Sequence, residues 1–148
     1  TSVYTLTLCG RRKNICVSTS EKTKKKKINQ NGSVVFIVSI GGVKRFSVGN
    51  SIYGASKAAL QSMVNFTAQE LASKKIRVNS ICPGMVETPL IRRGTLTEEQ
   101  LKEDMDKYPL KRYGKPEDIA YASIYLLSEA SSWLTGQSIV IDGGATAK

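Results

Sequence analysis

Tyr53 and Lys57 stand four residues apart in the run Tyr53-Gly-Ala-Ser-Lys57-Ala-Ala-Leu. On a helix, that spacing puts both side chains on one face. An ammonium beside a phenol favours the phenolate and lowers its pKa from a reference of about 10. A phenol tuned in this way gives a proton to a carbonyl oxygen, or takes one from an alcohol, near neutral pH. Ser39 is a candidate to hold the same oxygen, because a hydroxyl both donates and accepts. Taken alone, a Tyr and a Lys at helical spacing are solvated surface residues in most proteins. The weight of this pair comes from the elements around it.

Val34-Val35-Phe36-Ile37-Val38 is an unbroken β-branched and aromatic run between Asn31-Gly32 and Gly41-Gly42. It predicts a strand buried on both faces, ending at Ser39. Asn50-Ser51 offers caps for a long helix, along which Ile52, Ala55, Ala59, Leu60, Met63, Val64, Phe66 and Leu71 recur at roughly helical spacing. Ile76 to Cys82 predicts a second strand, stopped by Pro83-Gly84. Thr97 caps an acidic helix from Glu98 to about Lys107. Pro116-Glu117-Asp118 makes a favourable first turn for another, with carboxylates at the positive end of the helix dipole. Gln137 to Ile141 predicts a third strand before Asp142-Gly143-Gly144.

This order predicts an α/β fold: right-handed crossovers and a parallel sheet with helices on both faces. Ligands bind beyond the carboxyl ends of such strands. Ser39, Pro83-Gly84 and Asp142-Gly143-Gly144 follow the three strands, so they are expected to converge. Val3–Leu8 alternates apolar residues with Thr and predicts a further short strand.

Composition narrows the chemistry. The chain has 148 residues, enough for one domain with a real core, and no His. That excludes Ser-His-Asp and Cys-His nucleophile systems, His-ligated zinc and an imidazole base. Cys9, Cys16 and Cys82 form no CxxC pair, so no metal site or disulfide framework follows. Cys82 reads as a small buried hydrophobe. The net charge of +10 is uneven: residues 1–30 hold eight basic residues and one acid. The remainder is nearly balanced, which argues against a nucleic-acid-binding face built into the fold. Lys24–Lys27 is a solvated tract on the simplest reading, with a nuclear or nucleic-acid role as the alternative. No apolar run is long enough to span a membrane. A reducing, cytoplasmic setting is expected.

Ser39-Ile-Gly-Gly, Tyr53-Gly-Ala-Ser-Lys57, Ile76-Arg-Val-Asn-Ser-Ile-Cys-Pro83-Gly84-Met-Val-Glu-Thr88-Pro, Arg112-Tyr113-Gly114-Lys115-Pro116-Glu117-Asp118 and Leu134-Thr-Gly-Gln-Ser-Ile-Val-Ile-Asp142-Gly-Gly occur in that order. Together they resemble the carboxyl-terminal portion of the short-chain dehydrogenase/reductase family, from about Asn31 to Ala145. The motif style resembles its 3-oxoacyl-carrier-protein reductase-like members.

The resemblance implies a partial Rossmann-like, doubly wound sheet with flanking helices. It implies an NAD(P)-dependent oxidoreductase that moves a hydride between NADP or NAD and a ketone or secondary alcohol. Tyr53 would be the general acid/base. Lys57 would lower its pKa and hold the nicotinamide ribose. Ser39 would orient the substrate carbonyl, although the gap to Tyr53 is one residue longer than is common in the family. Pro83 and Gly84 would shape the wall near the nicotinamide. Val86, through its backbone, and Thr88 would meet the carboxamide. Residues from about Met85 to Lys107 would form a substrate lid.

The resemblance also divides the chain into a basic, atypical segment 1–30 and a family-like segment 31–148. The family's amino-terminal strands and its glycine-rich pyrophosphate turn have no counterpart here. The catalytic asparagine of the family has no clear counterpart either; Asn14 lies in an unrelated-looking segment and is not assigned that role. A small carbonyl or alcohol substrate is expected, with homo-oligomers or hetero-oligomers of related chains. The alternative is a truncated, non-catalytic member acting through its oligomerisation helices.

Overall fold

The computed structural model describes residues 7–11, 14–18, 30–44, 49–89 and 97–147, the first two stretches by backbone alone. The Lys24–Lys27 tract, residues 3–6 of the expected first strand and residues 90–96 of the expected lid lie outside the described residues.

A five-stranded sheet runs in the order β2-β1-β3-β4-β5. The strands are β1 (Thr7–Arg11), β2 (Asn14–Ser18), β3 (Ser33–Ile37), β4 (Arg77–Pro83) and β5 (Ser138–Ile141). β3, β4 and β5 are parallel, as the strand–helix–strand order predicts. Helix α1 (Ser51–Ala72) lies in the first crossover, and α2 (Glu98–Asp106) and α3 (Pro116–Leu127) lie in the second.

Strand alternation explains the continuous apolar runs. Val34, Phe36 and Val38 share one cluster with Val78 and Cys82 of β4 and with Val64 and Ala68 of α1. Val35 and Ile81 point the other way and pack with Leu126 of α3. Each face of the parallel sheet is thus covered by a helix. Burying a Val or Ile fully contributes about 1.5–3 kcal/mol, so both faces select for apolar residues. The Ser33 hydroxyl adds a directional tie, donating to the Leu126 carbonyl at 2.8 Å.

The sheet as a whole is mixed. β1 runs antiparallel to β3, with Thr7 opposite Phe36 and Gly10 opposite Ser33, and β2 runs antiparallel to β1. An open β3 edge would expose a row of unpaired N–H and C=O groups, and the hairpin occupies it. The short strand expected at Val3–Leu8 is described as Thr7–Arg11. Ile15–Val17, too short a run to predict, sits inside β2.

The carboxyl ends of the parallel strands lie side by side. The Val38 N–H donates to Ile81 O at 2.8 Å, and the Gly84 N–H to Ile141 O at 2.9 Å. At the opposite end of β4, Arg77 donates to Ser131 Oγ and to the Ser128 carbonyl at 2.9 and 3.0 Å. Asn79 grips Leu134 O and the Gln137 N–H at 2.8 and 3.0 Å. Arg77 and Asn79, both within a resemblance motif, therefore hold the loop entering β5 and stand away from the strand tips.

Candidate active site

Three elements meet at the strand tips. The chain leaves β3 through Ser39 into a single 3-10 turn, Ile40–Gly42. That turn lies flush on the first turns of α1. A Cβ on Gly42 would fall 2.6 Å from Lys57 Cβ and 2.7 Å from the Ala58 backbone nitrogen. Only a glycine lets the two backbones come this close. Gly54 answers from the helix side, where an added Cβ would meet Gly41 O at 3.1 Å.

The approach brings Ser39 and Tyr53 to a common notch. A Cβ on Gly41 would sit 3.5 Å from Ser39 Oγ and 3.5 Å from Tyr53 Cε1. Ser39 Oγ accepts from the Gly41 N–H at 3.1 Å, which leaves its proton available to a ligand. Tyr53 is 41% exposed at the start of α1, so its ring is reachable from solvent.

Lys57 is only 6% exposed. Its Nζ lies 5.8 Å from the centre of the Tyr53 ring and donates to Ile37 O, the last carbonyl of β3, at 3.4 Å. Burial pushes the Lys57 ammonium below the usual lysine range, and neighbouring Cys82 works against that shift. Burial pushes the Cys82 thiol up, opposed by Ser80, the Ser39 backbone N–H and Lys57.

Pro83 ends β4, opposite Ile141. Gly84 abuts the next strand end: a Cβ there would lie 2.9 Å from Asp142 Cα. The Asp142 carboxylate accepts from the Gly144 N–H at 3.0 Å and from the Thr146 N–H at 2.9 Å. Burial opposes the charge on Asp142, but the bonds from Thr146 and Gly144 outweigh it and hold the carboxyl below its ordinary range.

Val86 forms a parallel bridge with Gly114. The bridge runs through Met85 O and the Glu87 N–H, at 2.9 and 2.8 Å. In a parallel bridge the middle residue turns its own N–H and C=O away from the partner, so the Val86 peptide groups face the opposite edge. The residues flanking Gly114 are fixed by Arg112, which donates to the Tyr113 carbonyl at 2.9 Å and clamps Asp118 at 2.7 and 3.2 Å, while Asp118 accepts from the Lys115 N–H at 2.7 Å. Thr88 is half-buried two residues further on.

The structure thus gathers Ser39 and Tyr53 at one notch, keeps Lys57 buried with its Nζ 5.8 Å from the Tyr53 ring centre, and sets Pro83 and Gly84 on the neighbouring strand tip. Val86 and Thr88 continue from that tip. Asn14 lies in β2, separated from β3 by β1. Sequence reasoning missed three neighbours of Lys57: the Ile37 carbonyl, Cys82 as a polar contact, and Gln61 one helical turn on. The four-residue step from Lys57 to Gln61 was the available signal.

A family model described as Enoyl-(Acyl carrier protein) reductase matches residues 16–146. The 3-oxoacyl-[acyl-carrier-protein] reductase FabG of Thermotoga maritima is 42% identical over 115 residues, covering 78% of this chain and 46% of the relative. Tropinone reductase homolog At2g29290 of Arabidopsis thaliana is 41% identical over 120 residues, covering 81% and 45%. A short-chain type dehydrogenase/reductase from Mycobacterium ulcerans superposes with a TM-score of 0.74 at 36% identity, over 80% of this chain and 43% of that one. A putative 2-deoxy-d-gluconate 3-dehydrogenase from Agrobacterium tumefaciens, solved with bound NADP, gives 0.72 at 31% identity, over 78% and 47%.

The chain belongs to the short-chain dehydrogenase/reductase family, whose members are Rossmann-fold oxidoreductases. It spans about half the length of the curated relatives it matches.

Proposed function

We propose that residues 31–148 carry the substrate-binding and nicotinamide-facing half of an NAD(P)-dependent oxidoreductase that interconverts a ketone and a secondary alcohol. The observation that carries this reading is the notch over Gly41. It is bounded by the Ser39 hydroxyl and the Tyr53 ring, with the Lys57 ammonium 5.8 Å from the ring centre.

In the reducing direction, the Ser39 hydroxyl donates to the substrate carbonyl oxygen and fixes its position. The Gly41 N–H occupies one Ser39 lone pair, which leaves the hydroxyl proton free to donate. The Tyr53 phenol gives its proton to the same oxygen. The Lys57 ammonium stabilises the phenolate charge left behind. In the oxidising direction each transfer reverses.

The strand-tip residues fit the nicotinamide end of a dinucleotide. Gly41 leaves a notch that a Cβ would fill, and the Val86 peptide groups have no backbone partner among the described residues. Lys57 would hold the ribose, Pro83 and Gly84 would wall the ring, and Val86 and Thr88 would meet its carboxamide. NADP or NAD, when bound, supplies or accepts the hydride. No glycine-rich strand–turn–helix precedes β3 in this sequence, so the pyrophosphate gains no cradle from these residues. The substrate is a small carbonyl compound or alcohol, and the reducing cytoplasm suits the buried free thiol of Cys82.

The test is a nicotinamide-absorbance assay with simple ketones and 3-oxoacyl esters, on the wild type and on Ser39→Ala. Turnover should fall by roughly 10²-fold or more in the variant. Unchanged turnover would overturn the assignment.

A second reading has its own observation. The outer face of α1 exposes Ile52, Met63 and Phe66, at 85%, 50% and 66%. An apolar face of this kind on a helix suits pairing with a second copy or a longer relative. A chain without turnover that co-purifies with a longer relative would favour this non-catalytic reading.

A further inference from the structure

Gln61 takes no part in the chemistry above, yet it occupies the inner face of α1 one turn beyond Lys57. That face reads Lys57, Gln61, Val64, Ala68. Val64 and Ala68 are buried among apolar neighbours. Apolar packing is non-directional and tolerates small slides of one element on another. Directional bonds do not, and among the described residues α1 side chains make them to the sheet only through Lys57 and Gln61.

Gln61 Oε1 accepts from Ser80 Oγ at 2.8 Å and from Cys82 Sγ at 3.7 Å. Ser80 and Cys82 are alternate residues of β4, share one strand face, and are 0% exposed. Ser80 Oγ also lies 3.0 Å from Ser138 Oγ of β5. A hydroxyl has one proton, and the amide oxygen only accepts. Ser80 therefore donates to Gln61 and accepts from Ser138. The chain of donors runs from β5 through β4 and ends on the helix. Its other arm, the Cys82 sulfur, faces the Ser39 backbone N–H and Lys57.

We propose that Gln61 is a positioning residue of the site: its amide oxygen pins α1 to β4 and so sets where Lys57 and Tyr53 stand relative to Ser39. This deepens the oxidoreductase reading and rests on it. The anchoring itself is open to measurement without substrate or cofactor.

Gln61→Leu keeps the bulk and removes the acceptor. With the acceptor gone, the buried Cys82 thiol is stranded and Ser80 can donate only to Ser138 Oγ, a heavier penalty than losing both sides of the bond together. The triple variant Gln61→Leu, Ser80→Ala, Cys82→Ala removes both sides. The first readout is Lys57 itself, titrated by NMR of its amine-bearing carbon. The titratable groups facing it among the described residues are Cys82 on β4 and Tyr53 on its own helix. If Gln61 holds α1 down on the sheet, Gln61→Leu lets water reach Lys57. Its midpoint then rises toward that of a free lysine, while the triple variant stays closer to wild type. The second readout is the Cys82 thiol, followed in a Cys9→Ser, Cys16→Ser background. Gln61→Leu should speed its modification by a small thiol reagent about tenfold.

An unmoved Lys57 midpoint in a folded Gln61→Leu protein would overturn the proposal. If Gln61→Leu fails to fold, the triple variant decides. A Lys57 midpoint near wild type, with thermal stability recovered, supports the anchoring. Equal disruption in both variants contradicts it. A chain that shows these shifts but no turnover would retain the anchor and lose the oxidoreductase reading.

Discussion

The Lys57 ammonium donates to the carbonyl oxygen of Ile37, 3.4 Å away, and lies 5.8 Å from the centre of the Tyr53 ring. The end of β3 thus holds the cation of the helix turn that follows Tyr53. A buried ammonium costs free energy unless its partners compensate. Lys57 has a carbonyl and a neighbouring thiol, and its pKa is driven down by burial. The site holds a charge that the fold alone would not choose.

That gives a stability prediction with a definite sign. The folded-state pKa of Lys57 lies below its ordinary value of 10.5. Between the two, the unfolded chain binds more protons, so this residue's contribution to stability rises with pH through that window. Lys57→Met should raise the melting temperature at neutral pH and lose that advantage once lysines deprotonate. Thermal melts of both proteins across the alkaline range would check it. A less stable Lys57→Met at neutral pH contradicts the desolvation argument.

Gly41 and Gly42 should separate chemistry from folding. A Cβ on Gly41 makes ordinary contacts at 3.5 Å but occupies the notch between Ser39 and Tyr53. Gly41→Ala is expected to melt near wild type and to lose turnover. A Cβ on Gly42 collides with helix backbone at 2.7 Å. Gly42→Ala should lose about 1–3 kcal/mol of stability, as overpacking does. Calorimetry and the absorbance assay on both variants test the pair.

Asp118 provides an acid-limb prediction. The side-chain bond from Arg112, then the bond from the Lys115 backbone N–H, lower its pKa from 3.8 to about 2. A depressed carboxyl contributes stability above its unfolded pKa and loses it as pH falls through the folded one. Wild-type stability should therefore drop between pH 3.8 and about 2. Asp118→Asn should flatten that part of the profile, read from melts in acid.

Much of this arrangement is legible in the sequence. Both-face burial of Val34–Val38 and the Thr97 cap of α2 follow from residue type, because strand alternation and capping are local rules. The periodicity of α1 was less informative. Ile52, Met63 and Phe66 fit a helical repeat yet face outward, since a helix apolar on two faces shows one period for both. The β1–β2 hairpin was legible only in part, because pairing to a sheet edge depends on distant residues. The Ser39–Tyr53 notch depends on the Gly42 approach, a tertiary contact that no spacing announces.

The central claim is that the Tyr53 phenol moves the proton. The most direct measurement is hydride transfer, followed by nicotinamide absorbance, in the wild type and in Tyr53→Phe, which keeps the ring and removes only the hydroxyl. The account predicts a loss of roughly 10²- to 10⁴-fold in turnover with an unchanged melting temperature. Turnover in Tyr53→Phe equal to that of the wild type would contradict it.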